Sequence, residues 1–152
     1  MELRPVTAGN WTALIKLKVS DEQSHFVASN LYSIAEAQFG FEEEGHWNFH
    51  PLGAYVDGEP VGFVMYGFNP NHSRFQVFIT RLMVDQRFQG KGYGRQIMQL
   101  VLDDSRKNEQ IKNVGISYEP SNEAARKLYA SLGFVEPGEM ADGETLAILN
   151  LS

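Results

Sequence analysis

The run RLMVDQRFQGKGYGRQIM, Arg81 to Met98, places glycines at Gly90, Gly92 and Gly94 where a β-rich segment hands over to a helical one. Glycine is costly at the mouth of a helix, because it loses the most backbone entropy on ordering. One glycine would satisfy a turn. Three of them, with Arg87, Lys91 and Arg95 close by, mark a place where a ligand has to approach the backbone. The unpaired N–H groups of a helix start carry partial positive charge, so an anion such as a pyrophosphate is the expected ligand. A Gly-rich turn that merely joins two elements is the competing reading. A Walker loop is excluded, since Tyr93 stands where Gly-Lys should be followed by Ser or Thr. A dinucleotide fingerprint is excluded too, because it needs G-x-G-x-x-G on an early βα unit.

The segments on either side of this loop fix the fold class. LRPV reads as a first strand, and Trp11, Leu14, Ile15 and Val19 have helical spacing, with Thr7 or Asn10 as the cap. A second helix is expected from about Asn30 to Phe39, ending near Gly40. PLGAYVDGEPVGFVMYGF reads as a hairpin around Asp57-Gly58, and NPNHS as the turn into the long β-rich run RFQVFITRLMV. After the glycines, Ile97, Met98, Val101 and Leu102 repeat at helical spacing. VGISY is a short buried-type strand, SNEAARKLYASLGF a helix, and ADGETLAILNL a turn and a closing strand. The expected order is β-α-α-β-β-β-α-β-α-β-β. A meander followed by crossovers implies an α+β fold, one mixed sheet with helices on its faces, spanning residues 1–152 as a single domain.

Composition narrows the function. The chain has no cysteine, which excludes disulfides, thiolate metal sites and a cysteine nucleophile. A net charge of −6 argues against nucleic acid as a partner and suits a cationic one. No run is long and apolar enough to span a bilayer, and MELRPVTAGN lacks a secretory pattern, so a cytoplasmic protein is expected.

RFQGKG resembles the R/Q-x-x-G-x-G/A signature of the GNAT superfamily of acetyl-CoA-dependent N-acetyltransferases, and NEAARKLYASLGF resembles that family's second motif. The similarity extends over essentially the whole chain. VSDEQSHFVASN, VGFVMYG, RLMVDQRFQGKGYG and GEMADGE look most like the bacterial spermine/spermidine acetyltransferases within it.

The resemblance implies a sheet of about seven strands, splayed after the fourth and flanked by about four helices. It implies acetyl-CoA as co-substrate, no metal, and direct transfer to a primary amine of a small molecule, with a polyamine leading. Other amines remain open: an amino acid, an aminoglycoside or a protein N-terminus. So does a noncatalytic acyl-CoA sensor, and a homodimer is allowed.

The same resemblance assigns roles to residues. A bulged strand would offer free backbone groups at Leu82, Met83 and Val84 to the pantetheine arm, and the amides from Gln89 through Gly90, Lys91, Gly92 and Tyr93 to Gly94 would take the pyrophosphate. Asn122 would contact the cofactor. Tyr129 would protonate the departing thiolate, and the Val84 N–H would serve the oxyanion. The residues themselves allow structural alternatives. Tyr129 fits a Schellman-capped helix end with Gly133 and Phe134, and Asn122 is a good N-cap.

Thr80 stands where polyamine-acetylating relatives often have a carboxylate, so a water relay or a carboxylate from elsewhere would have to act. Glu36, Glu42, Glu43 and Glu44 would form an acidic rim for a polycation, or a solvated surface. Glu119 is a candidate base or a plain surface charge. His46 and His50 in HWNFH read as a packed loop, not a metal site.

Overall fold

The computed structural model describes Met1–Ser152. The chain runs β1 (Glu2–Pro5), α1 (Trp11–Leu14), α2 (Asn30–Ala37), β2 (Phe41–Glu42), β3 (His46–Val56), β4 (Glu59–Phe68) and β5 (Val77–Val84). It continues with α3 (Tyr93–Arg106), β6 (Asn113–Tyr118), α4 (Glu123–Ser131), β7 (Met140–Ala141) and β8 (Glu144–Asn150). The strands form one mixed sheet in the order β1-β3-β4-β5-β6-β8-β7, with the two-residue β2 pairing on β3. Only β5 and β6 are parallel. Both Asp-Gly turns have the expected form: Asp57 and Gly58 lie at φ 50° and 79°, Asp142 and Gly143 at 48° and 82°. Two successive left-handed residues match the twist of the strands they join.

Strand alternation divides the core between the two faces of the sheet. On β4, Phe63 and Met65 pack with Leu14, Leu17, Tyr55 and Met83 on the α1 side. Val61 and Val64 point the other way, into a cluster with Ile97, Met98 and Val101 of α3. On β5 the alternation reverses. Val77 and Ile79 belong to the α3 cluster, yet Met83 belongs to the α1 cluster. The cause is a register shift: Met65 faces Arg81 and Tyr66 faces Ile79, which leaves Thr80 as the extra residue of a β-bulge. Beyond it every side chain changes face. Arg81 therefore lies against α2, while Leu82 and Val84 turn towards α3 and α4.

Two expectations are corrected. The first helix does not reach Val19, because α1 is a single turn without a side-chain cap. Tertiary bonds capture the chain instead: the Lys18 N–H donates to Asp85 Oδ2 at 3.0 Å, and the Lys18 carbonyl accepts from Gln86 N–H at 2.8 Å. HWNFH is not a loop but the start of β3, with Trp47 buried between exposed His46 and Asn48. Pro51 reads as a strand start, since it cannot donate to a ladder. β3 runs through it because β1 pairs only with Leu52–Tyr55.

Candidate active site

The glycine loop leaves a set of backbone donors unpaired. No N–H from Gly90 to Arg95 has an acceptor in the chain, and the first helical bond of α3 is Gln96 N–H to Gly92 O at 3.2 Å. Gly90 and Gly92 lie at φ 81° and 80°, the left-handed region where a side chain is strained. Gly94 differs. It sits in the first turn of α3, and a Cβ there would meet only Leu128 and Val84, at 3.8 and 3.9 Å. Two glycines are thus demanded by the backbone, and the third keeps open the space between β5 and α4.

That space exists because β5 and β6 separate. They pair only over Val77–Ile79 and Val114–Ile116, and beyond the bulge the edge of β5 has no neighbour. Asp85 N–H donates to Val61 O at 2.8 Å, so the antiparallel alternation turns the peptide groups of Leu82 and Val84 into the gap. Met83, between them, turns its peptide towards β4. It lines the cavity but is no free backbone partner, a correction to its expected role.

The resulting cavity, about 280 Å³, is lined by Leu82, Met83, Val84, Gln89, Gly90, Gly92, Tyr93, Gly94, Asn122 and Tyr129 among others. Its lining includes no carboxylate and no histidine. The three loop cations do not reach it. Arg87 is bonded to Asp85 at 2.8 Å, Lys91 lies 5.9 Å from the centre of the Phe88 ring, and Arg95 bonds the Ser131 hydroxyl. The cradle is backbone, not side-chain charge. Burial pushes the Asp85 carboxyl up, but Arg87 and the N–H groups of Arg87 and Lys18 outweigh it and hold it below the usual range.

Both structural alternatives for the α4 residues are realised, and both residues still face the cavity. Asn122 caps α4, its Oδ1 accepting from Ala125 N–H at 3.2 Å. Tyr129 closes a Schellman motif, its carbonyl accepting from Phe134 N–H at 3.1 Å, with Gly133 at φ 99°. Its ring packs 5.4 Å from Tyr118 and 6.0 Å from Phe134. Burial, with the charges of Tyr118 and Glu144 adding to it, raises the Tyr129 phenol far above its ordinary pKa. The phenol holds its proton.

A second cavity of about 480 Å³ adjoins the first, and Thr80, Arg81 and Ser117 line both. Its walls carry the carboxylates Glu36, Glu43, Asp142 and Glu144 over an aromatic floor that includes Trp47, Phe49, Phe75 and Phe78. Glu36 is paired with Arg81 at 3.3 Å, which also bonds Ser33 Oγ at 3.1 Å and the Thr80 carbonyl at 2.7 Å. Glu43 lies 3.5 Å from His72 Nε2, and Glu44 lies 3.1 Å from it. His72 Nδ1 accepts from Arg74 and Phe75 N–H at 3.2 and 3.3 Å, which puts the ring proton on Nε2. The Glu43–Glu44–His72 group is therefore a protein-closed clamp between two loops.

A family model described as the acetyltransferase (GNAT) family matches residues 11–134. The chain belongs to that family. It is 29% identical to the spermine/spermidine N(1)-acetyltransferase of Bacillus subtilis over 156 aligned positions, covering 99% of each chain. Among solved structures, the spermidine N-acetyltransferase from Vibrio cholerae, in complex with CoA and spermine, superposes with a TM-score of 0.72 at 16% identity, over 99% of this chain and 95% of that one. The ribosomal-protein-S18-alanine N-acetyltransferase from Escherichia coli superposes at 0.68 and 20% identity, over 99% and 94%. At those identities the structures establish the GNAT fold. No helix is long and apolar enough to cross a membrane.

The residues of the two motifs and the expected carboxylates fare differently. The structure brings Leu82, Val84, Gly90, Gly92, Gly94, Asn122 and Tyr129 around one cavity, and Glu36, Glu43 and Thr80 around the other. Glu119 lines neither. The Thr80 hydroxyl is occupied at the bulge, donating to Met65 O at 3.1 Å. Sequence reading assigns no role to Arg81, Ser117, Asp142 or Glu144. A lone arginine inside the apolar run VFITRLMV was the available signal for Arg81; nothing local marks the others.

Proposed function

We propose that this GNAT enzyme transfers an acetyl group from acetyl-CoA directly to a primary amine of a polyamine such as spermidine. One observation carries the reading: a cradle of unpaired backbone N–H groups and a carboxylate-rich, aromatic-floored cavity meet at Thr80, Arg81 and Ser117. The first suits a pyrophosphate and the second a flexible polycation. Methylene segments would lie on the aromatic floor while ammonium groups face Glu43, Asp142 and Glu144. The sequence relationship to the Bacillus subtilis enzyme supports the same substrate class.

In this reading acetyl-CoA supplies an activated acyl carbon, and the chain's residues do the rest. The amides of Gly90 to Gly94 hold phosphate, and the edge of β5 at Leu82 and Val84 aligns the arm in the gap. The Val84 N–H donates to the oxyanion as the tetrahedral centre forms. Tyr129 delivers its proton to the leaving sulfur and regains one from the nitrogen of the collapsing intermediate. The pushed-up phenol suits that task, because it reaches the step protonated.

The test is thiol release from acetyl-CoA with spermidine against a monoamine of similar length. A clear advantage in kcat/KM for spermidine is expected. Equal turnover of the monoamine would remove the polyamine and leave the acetyltransferase.

A further inference from the structure

A protonated amine has no lone pair with which to attack, so a transferase for polyamines needs a proton acceptor beside the acyl carbon. Thr80 cannot act, since it is no base and its hydroxyl is bonded to Met65 O. The cofactor-side cavity offers no carboxylate or histidine at all. On the amine side, Glu36 is held by Arg81 and Glu43 by His72. Asp142 sits at the exposed tip of the β7–β8 hairpin.

Glu144 differs from these in one respect. Its Oε1 accepts a hydrogen bond of 2.8 Å from Ser117 Oγ, and Ser117 is one of the residues shared by both cavities. The pair reaches the junction from β6 and β8, adjacent strands whose register sets Ser117 opposite Leu146 and Tyr118 opposite Thr145. The charge of Glu144 also adds, after burial and Tyr118, to the upward push on the Tyr129 phenol.

We infer that Glu144 takes the proton from the incoming ammonium, with the Ser117 hydroxyl as the relay between them. The ammonium N–H bond breaks and its proton passes to Ser117 Oγ, while the Ser117 proton passes to Glu144. The nitrogen keeps the electron pair and bonds to the thioester carbon as the carbonyl π pair moves onto its oxygen, and Glu144 later returns the proton to solvent. The charged and titratable groups around Glu144 are Asp142 on its own hairpin and Arg81, Glu36 and Glu43 across the cavity, with the Tyr129 phenol on the other face of the sheet. The inference rests on the amine entering through this cavity, and it holds for any amine protonated at neutral pH.

Glu144→Gln keeps the acceptor for Ser117 and removes the base. At saturating amine and acetyl-CoA, its kcat near neutral pH should fall on the order of 10²-fold. The deficit should shrink as pH approaches the pKa of the amine, and should vanish for an amine of low pKa that is already neutral. Ser117→Ala should show the same pH-dependent deficit. Acetyl-CoA affinity by calorimetry and the thermal midpoint should stay at wild-type values. A Glu144→Gln profile that runs parallel to wild type at every pH would overturn the assignment, as would a loss confined to KM for the amine, which charge attraction alone would produce. If wild type ignores spermidine but acetylates another amine, the polyamine reading fails and the same profiles with that amine still decide the role of Glu144.

Discussion

The two walls of the groove are assembled in opposite ways. The backbone donors of the cofactor-side wall come from one continuous stretch, Leu82 to Arg95, whose strand edge and helix start expose unpaired groups. Side chains of β6, α4 and the segment before α2 complete its lining. The amine-side wall collects single side chains from α2, the β2–β3 region, the β4–β5 loop, β5, β6 and the β7–β8 hairpin. A backbone-built site tolerates exchange of the side chains around it, provided that the glycines stay. A side-chain-built site is redefined by each substitution, so substrate choice can vary across a family while the acyl donor does not. That contrast is open to direct attack by mutation.

The largest effect should come from Tyr129, where the two walls share chemistry. Tyr129→Phe keeps the ring contacts with Tyr118 and Phe134 and the helix cap, so the thermal midpoint should hold while kcat falls on the order of 10²-fold. Unchanged kcat under chemistry-limited conditions would return Tyr129 to a purely structural role.

Next comes Gly94, the glycine that the backbone does not require. Gly94→Leu should fold normally, because a Cβ there makes only ordinary contacts, and should raise the acetyl-CoA Kd at least about tenfold, or ~1.4 kcal/mol. Gly92 is the poorer probe, since strain at φ 80° would confound any lost affinity. Calorimetry giving wild-type Kd for Gly94→Leu would break the backbone-cradle reading.

The root of that cradle is Asp85, almost fully buried and bonded to Arg87 and to the Lys18 N–H. Asp85→Asn should destabilise the fold by about 1–3 kcal/mol at neutral pH. The folded-state pKa of Asp85 is depressed, so its contribution is present above the unfolded value, near about 4, and is lost as pH falls through the folded value. Denaturation curves of the variant and wild type should therefore converge in acid; a gap that persists at low pH would contradict a charge-based role.

The smallest effects belong to the individual carboxylates of the amine wall. Neutralising Glu43 and Asp142 together should raise the polyamine KM by about fivefold, with acetyl-CoA affinity untouched. The effect should fade at high salt, as expected where screening acts over about 8 Å. Glu36→Gln should change KM by less than about twofold, since Arg81 already balances that charge. A larger change at Glu36 than at Glu43 and Asp142 would reverse the order of the wall.

The same contrast decides how much could be read from the amino acids alone. Glycine spacing, hairpin turns and helix caps are local physics, so the element order, the loop cradle, the Asn122 cap and the Schellman turn at Tyr129 were all legible. The first helix was not. Its spacing extends to Val19, but bonds from Lys18 to Asp85 and Gln86, far along the chain, end it early. Arg81 and Glu36 were individually visible, yet their pairing depends on the bulge at Thr80, and no local pattern announces a bulge. Ser117 and Glu144 meet only because β6 and β8 are neighbours in the sheet.

That bulge has a consequence for how the chain tolerates insertions and deletions. Losing one residue from the β4–β5 loop would shorten a connection. Losing Thr80 would straighten β5 yet leave Arg81 opposite Met65 and every later side chain on its present face, whereas losing Leu82 would exchange the faces of Met83 and Val84. The reading frame of side chains along this strand is set by its pairing with β4, to which Thr80 is supernumerary. A scan of one-residue deletions should therefore find folding kept at Thr80, where only the bend is lost, and folding lost at Leu82.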